Sequence, residues 1–387
     1  MEKRRIPTTG MKAVIVSCNM VTAYGKGTDA CWEGIIAGKT AVSRLNRFST
    51  QAFQSDNAAT LEGLEYRRGE SLVMQLLTLL FDEYPVSIPR DAKLILATTK
   101  GEIDHLEREI LEGKQDISSS NPGVLLRNVA SLAGIDDAGM MISAACASSS
   151  SAVARAAAMV RGGITDCVLI VACDSVTEFV FSGFSALMAL DKCAARPFDR
   201  DRGGLSLGEA AAYVVLMSEA RARRDGREII GEVAGWGLSD DANHMTGPSR
   251  SSEGMILAIR KALKSACADE SEIGVISAHG TGTVYNDAME IKAFDVIFNN
   301  KVPVYSIKGG TGHTMGATGL VEMIIALRAL KDGHVPFTVN LHNPDEDFRE
   351  WVSVGHRPVS PNKMALLTNA GFSGINAALV IAREKTK

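Results

Sequence analysis

The sequence has little that would tie it to a charged polymer or a membrane. Its formal net charge is −4, and its charged residues, 22% of the chain, form no block of one sign, so it carries no electrostatic footprint for nucleic acid. No uninterrupted apolar run reaches the roughly 18 residues of a membrane span, which argues against an integral membrane protein. Lys3, Arg4 and Arg5 precede an apolar stretch at 13–21 that could imitate a signal peptide. That stretch is brief and no A-x-A-like cleavage site follows, so it reads as a first strand, with 1–10 as an extension before it. The cysteines are seven, an odd number with no CxxC pair. They fit a reducing compartment, the cytoplasm by default, better than a disulfide framework.

Several catalytic signatures are missing too. There is no GxxxxGK[ST] phosphate loop, and Gly310-Thr-Gly-His-Thr-Met lacks the third glycine of a dinucleotide fingerprint. Neither HExxH nor clustered Cys/His ligands suggests a catalytic metal, so none is expected. Gly371-Phe-Ser-Gly-Ile is not a GxSxG elbow, because its second glycine comes one place early.

What is present is a large apolar core: 46% of the 387 residues are hydrophobic, with 36 Gly, 15 Met and only three Trp. That is enough for one big domain or two core-sharing halves. Buried-strand and helix patterns alternate: strand 11–18, helix 28–37, helix 71–84, strand 92–98, helix 123–133, strand 140–143, helix 146–161, strand 167–173 and strand 209–217. A polar, arginine-rich stretch at 219–226 reads as a surface crossing, and places a boundary near residue 229. The second half restarts with strand 230–238, helix 254–268, strand 273–278, helix 287–298, strand 302–306, helix 318–331, and strands 364–369 and 377–382. The halves, 11–229 and 230–387, carry elements in similar order without a visible sequence repeat, an α/β layout with a buried sheet.

The small-residue run 144–158 holds the best nucleophile candidate. Cys146 falls where an apolar strand turns into an Ala-rich helix, and unpaired N–H groups at a helix start favour a thiolate and predict a lowered cysteine pKa. Taken alone, Cys146 is more often a buried small hydrophobe. Two loops change the balance. Ala278-His-Gly-Thr-Gly-Thr283 puts His279 just after a strand, and Ser306-Ile-Lys-Gly-Gly-Thr-Gly-His-Thr-Met-Gly316 puts Lys308 and His313 between a strand and a helix. Loops at strand C-termini hold sites in α/β folds. A single such histidine is usually structural, but two can donate hydrogen bonds to an oxyanion or exchange protons beside a thiol.

Together these segments resemble the β-ketoacyl-acyl carrier protein synthases, the elongating Cys-His-His condensing enzymes of the thiolase superfamily. The resemblance spans nearly the whole chain and includes Arg196-Pro-Phe-Asp199, Arg202-Gly-Gly, Gly208-Glu-Ala and the stretches 240–248, 316–322, 340–345 and 369–376. It implies the thiolase fold, two similar α/β halves packed as five αβαβα layers. It implies that Cys146 accepts an acyl chain from a carrier-protein thioester, with the Cys146 and Phe372 N–H groups as oxyanion hole and Phe372 as a gating aromatic. His279 and His313 would then bind a malonyl thioester and promote its decarboxylation. Lys308 would organise the His313 loop with Glu322 behind it, although both also read as structural ions, and Thr281 and Thr283 would bind pantetheine. No cofactor is expected beyond the phosphopantetheine arm of the acyl carrier protein.

The resemblance further implies a dimer, a homodimer in the simplest case, or a heterodimer with a chain-length-factor-like subunit. Arg67 and Arg68 are candidate contacts for an acidic carrier protein, although exposed arginines are often unspecific. The sequence departs from common fatty-acid versions in its serines after Cys146, in Gly309 and Gly310 after the lysine, and in a shortened stretch at 51–89. These departures hint at a specialised polyketide or polyene pathway. The competing readings are a noncatalytic chain-length-factor-like partner subunit, against which the intact Cys146, His279 and His313 weigh, and a thioester hydrolase.

Overall fold

A computed structural model describes residues 11–83, 88–113, 120–360 and 362–384. The extension expected at 1–10 lies outside the described residues. Ten strands, labelled here in chain order, form the continuous path of an 11-stranded central sheet, whose remaining strand, Gly25–Lys26, pairs with the first: β1 (Ala13–Thr22), β2 (Lys93–Ala97), β3 (Met140–Ile142), β4 (Cys167–Asp174), β5 (Ala210–Ser218), β6 (Gly231–Asp240), β7 (Ile273–Ser277), β8 (Val304–Tyr305), β9 (Met364–Ala370) and β10 (Ile375–Ala382). Their order is β8-β7-β9-β10-β6-β1-β5-β4-β2-β3. The first half therefore runs 3-2-4-5-1, and the second half, counted from β6, repeats the same order.

Direction repeats as well. In each half the first three strands of that order are parallel and the last two join antiparallel. The halves meet where β1 pairs antiparallel with β6, through Val14↔Glu232 and Ile15↔Gly231. This is the thiolase fold, and the duplication invisible as sequence identity is plain as topology. Strands covered on both faces read as continuous apolar runs rather than alternating ones; β4, CVLIVACD, is buried at every position.

Two helices form the middle layer, Ser148–Arg161 from the first half and Thr318–Asp332 from the second, and they pack on each other. Of the 14 residues of Ser148–Arg161, only Arg155, Ala158 and Arg161 are not buried, so this helix is surrounded rather than amphipathic. Its alanines and serines are what permit that close approach. Leu72–Glu83 and Pro122–Ala133 cover the outer side of the first half, and Glu253–Ala266 and Val284–Ile297 that of the second. Sequence rules act locally: Asn121 caps Pro122–Ala133 by accepting the Gly123 N–H, and Gly134 closes it at φ 66.

Two helices are unexpected from the sequence, and a third lies where a surface crossing was expected. Ile103–Leu111 and Glu178–Ala186 pack on each other, and the stretch read as a surface crossing contains the helix Glu219–Arg224. Its N-cap is Ser218, whose side chain accepts the Arg221 N–H. Strand 302–306 shrinks to Val304–Tyr305, and the helix expected from 287 begins at Val284.

Candidate active site

The nucleophile turn is built from backbone strain and one serine. After β3 ends, Ala145 takes φ 47, a conformation that costs an L-residue energy and recurs at functional sites. Ser148 holds the turn: its Oγ accepts the Ala144 N–H at 2.9 Å and donates to the Ala145 carbonyl at 2.6 Å. The helix begins at Ser148, two residues later than expected, so Cys146 stands just before it. The residue is 6% exposed. Hydrogen bonds from the Phe372 and Cys146 backbone reach the thiol, and Lys308 adds a positive charge.

Those groups do not win. Burial pushes the Cys146 thiol up to about 11, against the downward pull of the Phe372 hydrogen bond and the Lys308 charge. The expectation of a lowered pKa is thus overturned for the free site: removing the thiolate from water outweighs a helix start whose N–H groups it only partly engages.

His279 follows β7, and His313 follows a single helical turn, Lys308–Thr311. Their rings stand edge to face, 5.2 Å between centroids at 85°. Cys146 Sγ and a nitrogen of each ring lie within 4.8 Å of one another. Both histidines are held well below the usual imidazole range, first by burial and then by the Lys308 charge, with His313 adding to the effect on His279. They are neutral, so each carries one ring proton.

The hydrogen bonds say where that proton is. His313 Nδ1 accepts the Met315 N–H at 3.1 Å, which leaves the proton on Nε2. Nε2 is buried without a partner among the described residues, and His313 lines the cavity shared with Cys146. A protonated Nε2 is a donor and not a metal ligand, so His313 presents an N–H to this cavity.

Behind the rings lies a buried charged cluster. Lys308 Nζ donates to Glu322 Oε1 and to the His279 carbonyl, and both side chains are at most 2% exposed. Glu322 Oε2 accepts from Asn369 Nδ2 at 2.7 Å. Glu290 accepts the His279 and Gly280 N–H groups at 2.8 and 2.7 Å, and burial moves its carboxyl up to about 7. Asp174 accepts the Gly316 N–H at 2.7 Å and fastens the His313 loop to Thr98 and Thr99. Gly309 and Gly310 are required by packing: a Cβ would sit 2.0 Å from the Val339 carbonyl and 2.2 Å from Tyr24 Oη.

The cavity over Cys146 has a volume of about 410 Å³ and is lined by His279, His313, Thr281, Thr283 and Phe372. Thr281 and Thr283 face it with their hydroxyls 2.9 Å apart. Family models for the β-ketoacyl synthase N-terminal and C-terminal domains match residues 94–222 and 230–342. The chain belongs to the β-ketoacyl synthase family. It is 30% identical to the 3-oxoacyl-[acyl-carrier-protein] synthase 2 of Vibrio cholerae, across 99% of this chain and 100% of that protein. It is also 30% identical to the granaticin polyketide putative beta-ketoacyl synthase 1 of Streptomyces violaceoruber, across 97% and 99%. Among solved structures, the ishigamide ketosynthase/chain length factor superposes with a TM-score of 0.88 at 27% identity, across 97% of this chain and 100% of that one.

Other expected residues of this β-ketoacyl synthase fall elsewhere. Arg67 and Arg68 line a different cavity, with Tyr66, Asp104 and Arg108, and Arg67 is engaged by Glu70 at 3.2 Å. The sequence reading gave no role to Asn369, Ser150, Glu290 or Asp174. Asn369 had a signal, since it stands next to the end of β9, three residues before Phe372.

Proposed function

We infer that this synthase performs decarboxylative Claisen condensation, joining an acyl chain held on Cys146 to a malonyl unit on an acyl carrier protein. The observation that carries this is the convergence of one thiol and two neutral imidazoles in one cavity, with the His313 Nε2–H unpartnered in it. In the first half-reaction Cys146 Sγ attacks the acyl thioester. The Sγ–C bond forms, the thioester C–S bond breaks, and the thiol proton leaves with the carrier's pantetheine sulfur. The Cys146 and Phe372 N–H groups, which reach the thiol in the free site, stabilise the oxyanion.

In the second half-reaction the malonyl thioester carbonyl accepts from the His313 Nε2–H and from the His279 ring N–H. Its C–C bond to the carboxylate breaks, CO₂ departs, and the electron pair forms an enolate held by those donors. The enolate carbon attacks the acyl carbonyl and Cys146 leaves as a thiolate. That thiolate recovers one proton from solvent, so each condensation consumes one proton. Splitting the reaction this way replaces one difficult step with two easier ones. Lys308 and Glu322 hold the loop that carries His313, and Thr281 and Thr283 offer hydroxyls to the pantetheine arm.

The partner is an acyl carrier protein, and the assembly a dimer, a homodimer or a pair with a chain-length-factor-like subunit. The edge strand β3, which pairs only with β2 among the described residues, supports an assembly through that side. Incubation with acyl-carrier protein should add the acyl mass to Cys146, and Cys146→Ala should gain none. A wild-type protein that takes up no acyl group, or that releases free acid without CO₂, would overturn the condensation reading.

A further inference from the structure

Four serines, Ser148 to Ser151, follow Cys146 closely, and one of them reaches the histidine site. Ser149 Oγ accepts the Leu320 N–H at 3.1 Å and so joins the two central helices. Ser150 does something else: its hydroxyl donates to Asn369 Oδ1. Asn369 Nδ2 then donates to Glu322 Oε2 at 2.7 Å and meets His279 Nδ1 at 3.4 Å. Ser150, Asn369, Glu322 and His279 are all at most 2% exposed, so water does not complete the chain.

We propose that Ser150 and Asn369 are positioning residues that keep the His279 proton on Nε2, where the reaction needs a donor. The chemistry of each partner leaves one assignment. Glu322, paired with Lys308, can only accept, so the NH₂ end of Asn369 must face it. Ser150 supplies the proton that satisfies the carbonyl end. The second Nδ2 hydrogen is then directed at His279 Nδ1, which must accept it, and the ring proton stays on Nε2. A flipped amide would set Oδ1 against the Glu322 carboxylate and draw the proton to Nδ1. His313 needs no such device, because the Met315 N–H already occupies its Nδ1. Residues behind a histidine commonly fix its tautomer and orientation in this way.

The inference rests on the condensation reading for its functional consequence, but not for its tautomer. Two-bond ¹H–¹⁵N spectra of ¹⁵N-histidine-labelled protein, with His279 assigned through His279→Gln, report the tautomer without substrate. The wild type should show Nε2–H. Asn369→Asp places an acceptor at Nδ1 and should move the proton to Nδ1; Ser150→Ala, which removes one oxygen, should give a mixture. Malonyl decarboxylation should fall about 100-fold in Asn369→Asp and about 3- to 10-fold in Ser150→Ala, while acylation of Cys146 stays within about threefold. An Nε2–H signal in both variants would overturn the proposal. So would equal loss of acylation and decarboxylation, the mark of a merely structural role, or a moved proton with normal decarboxylation. If Asn369→Asp does not fold, Ser150→Ala decides alone. A wild type without decarboxylation defeats the condensation reading and leaves the tautomer result standing.

Discussion

Raising the pH should accelerate alkylation of Cys146 over a wider range than it does for a free thiol. Burial sets the thiol at about 11, so at pH 8 the thiolate is about one part in 1,000, against about one in four for a free cysteine near 8.5. From pH 8 to 9.5 the rate at Cys146 should climb about 30-fold, and that of glutathione in the same tube about fourfold. Short iodoacetamide pulses with peptide mass spectrometry at Cys146 give the profile, and circular dichroism at each pH confirms the fold. That control matters, because a thiol pKa raised by folding stabilises the protein below the unfolded value. The contribution is lost between about 8.5 and 11, at about 1.4 kcal/mol per pH unit for one thiol. A Cys146 profile that levels off below pH 9 would refute the reasoning, and would mean that the Phe372 N–H, the Lys308 charge and the helix start outweigh desolvation after all.

Two further substitutions test the cluster behind the imidazoles. Lys308→Met leaves Glu322 buried without its cation and should lower unfolding free energy by about 3–5 kcal/mol in urea titrations, with Lys308→Met/Glu322→Gln recovering most of the loss. The same change removes a charge that opposes protonation of both histidines, so their pKa values should rise toward the usual range in NMR titrations. Gly319→Ala would place a Cβ 2.1 Å from Ser150 Oγ and 2.9 Å from the Ser150 backbone nitrogen. It should cost about 1–3 kcal/mol of stability by overpacking and slow decarboxylation more than acylation, since the displaced group is the one that orients Asn369.

The three residues that converge on the cavity were legible because each announces itself locally. Cys146 stands between an apolar strand and a run of small residues, while His279 and His313 stand in Gly- and Thr-rich loops after strands, and each pattern fits within about ten residues. What orients those residues was not legible, because it is made of contacts between segments far apart in the chain. Ser150 and Asn369 are 219 positions apart, and neither residue type is unusual for the helix or strand it occupies. Nothing short of the packing of the two central helices against the end of β9 shows that one donates to the other. The missed helices fail for a different reason. Glu178–Ala186 carries three phenylalanines, a glycine and two serines, a composition with weak helix propensity, and it is a helix because Thr177 caps it and Ile103–Leu111 packs on it.

The thiol pKa shows the same limit at the level of one atom. A helix start beside Cys146 is visible in sequence and predicts a thiolate, whereas the desolvation that reverses the sign comes from the whole cavity wall, to which the Phe372 turn and both histidine loops contribute. A pocket that keeps its nucleophile protonated until a thioester arrives also protects it from indiscriminate oxidation and alkylation, since both proceed through the thiolate. Substrate binding therefore has a second task besides orientation. In the proposed condensation the carbonyl takes up the N–H donors of Cys146 and Phe372, so the charge created during attack is stabilised on its oxygen rather than on the buried sulfur.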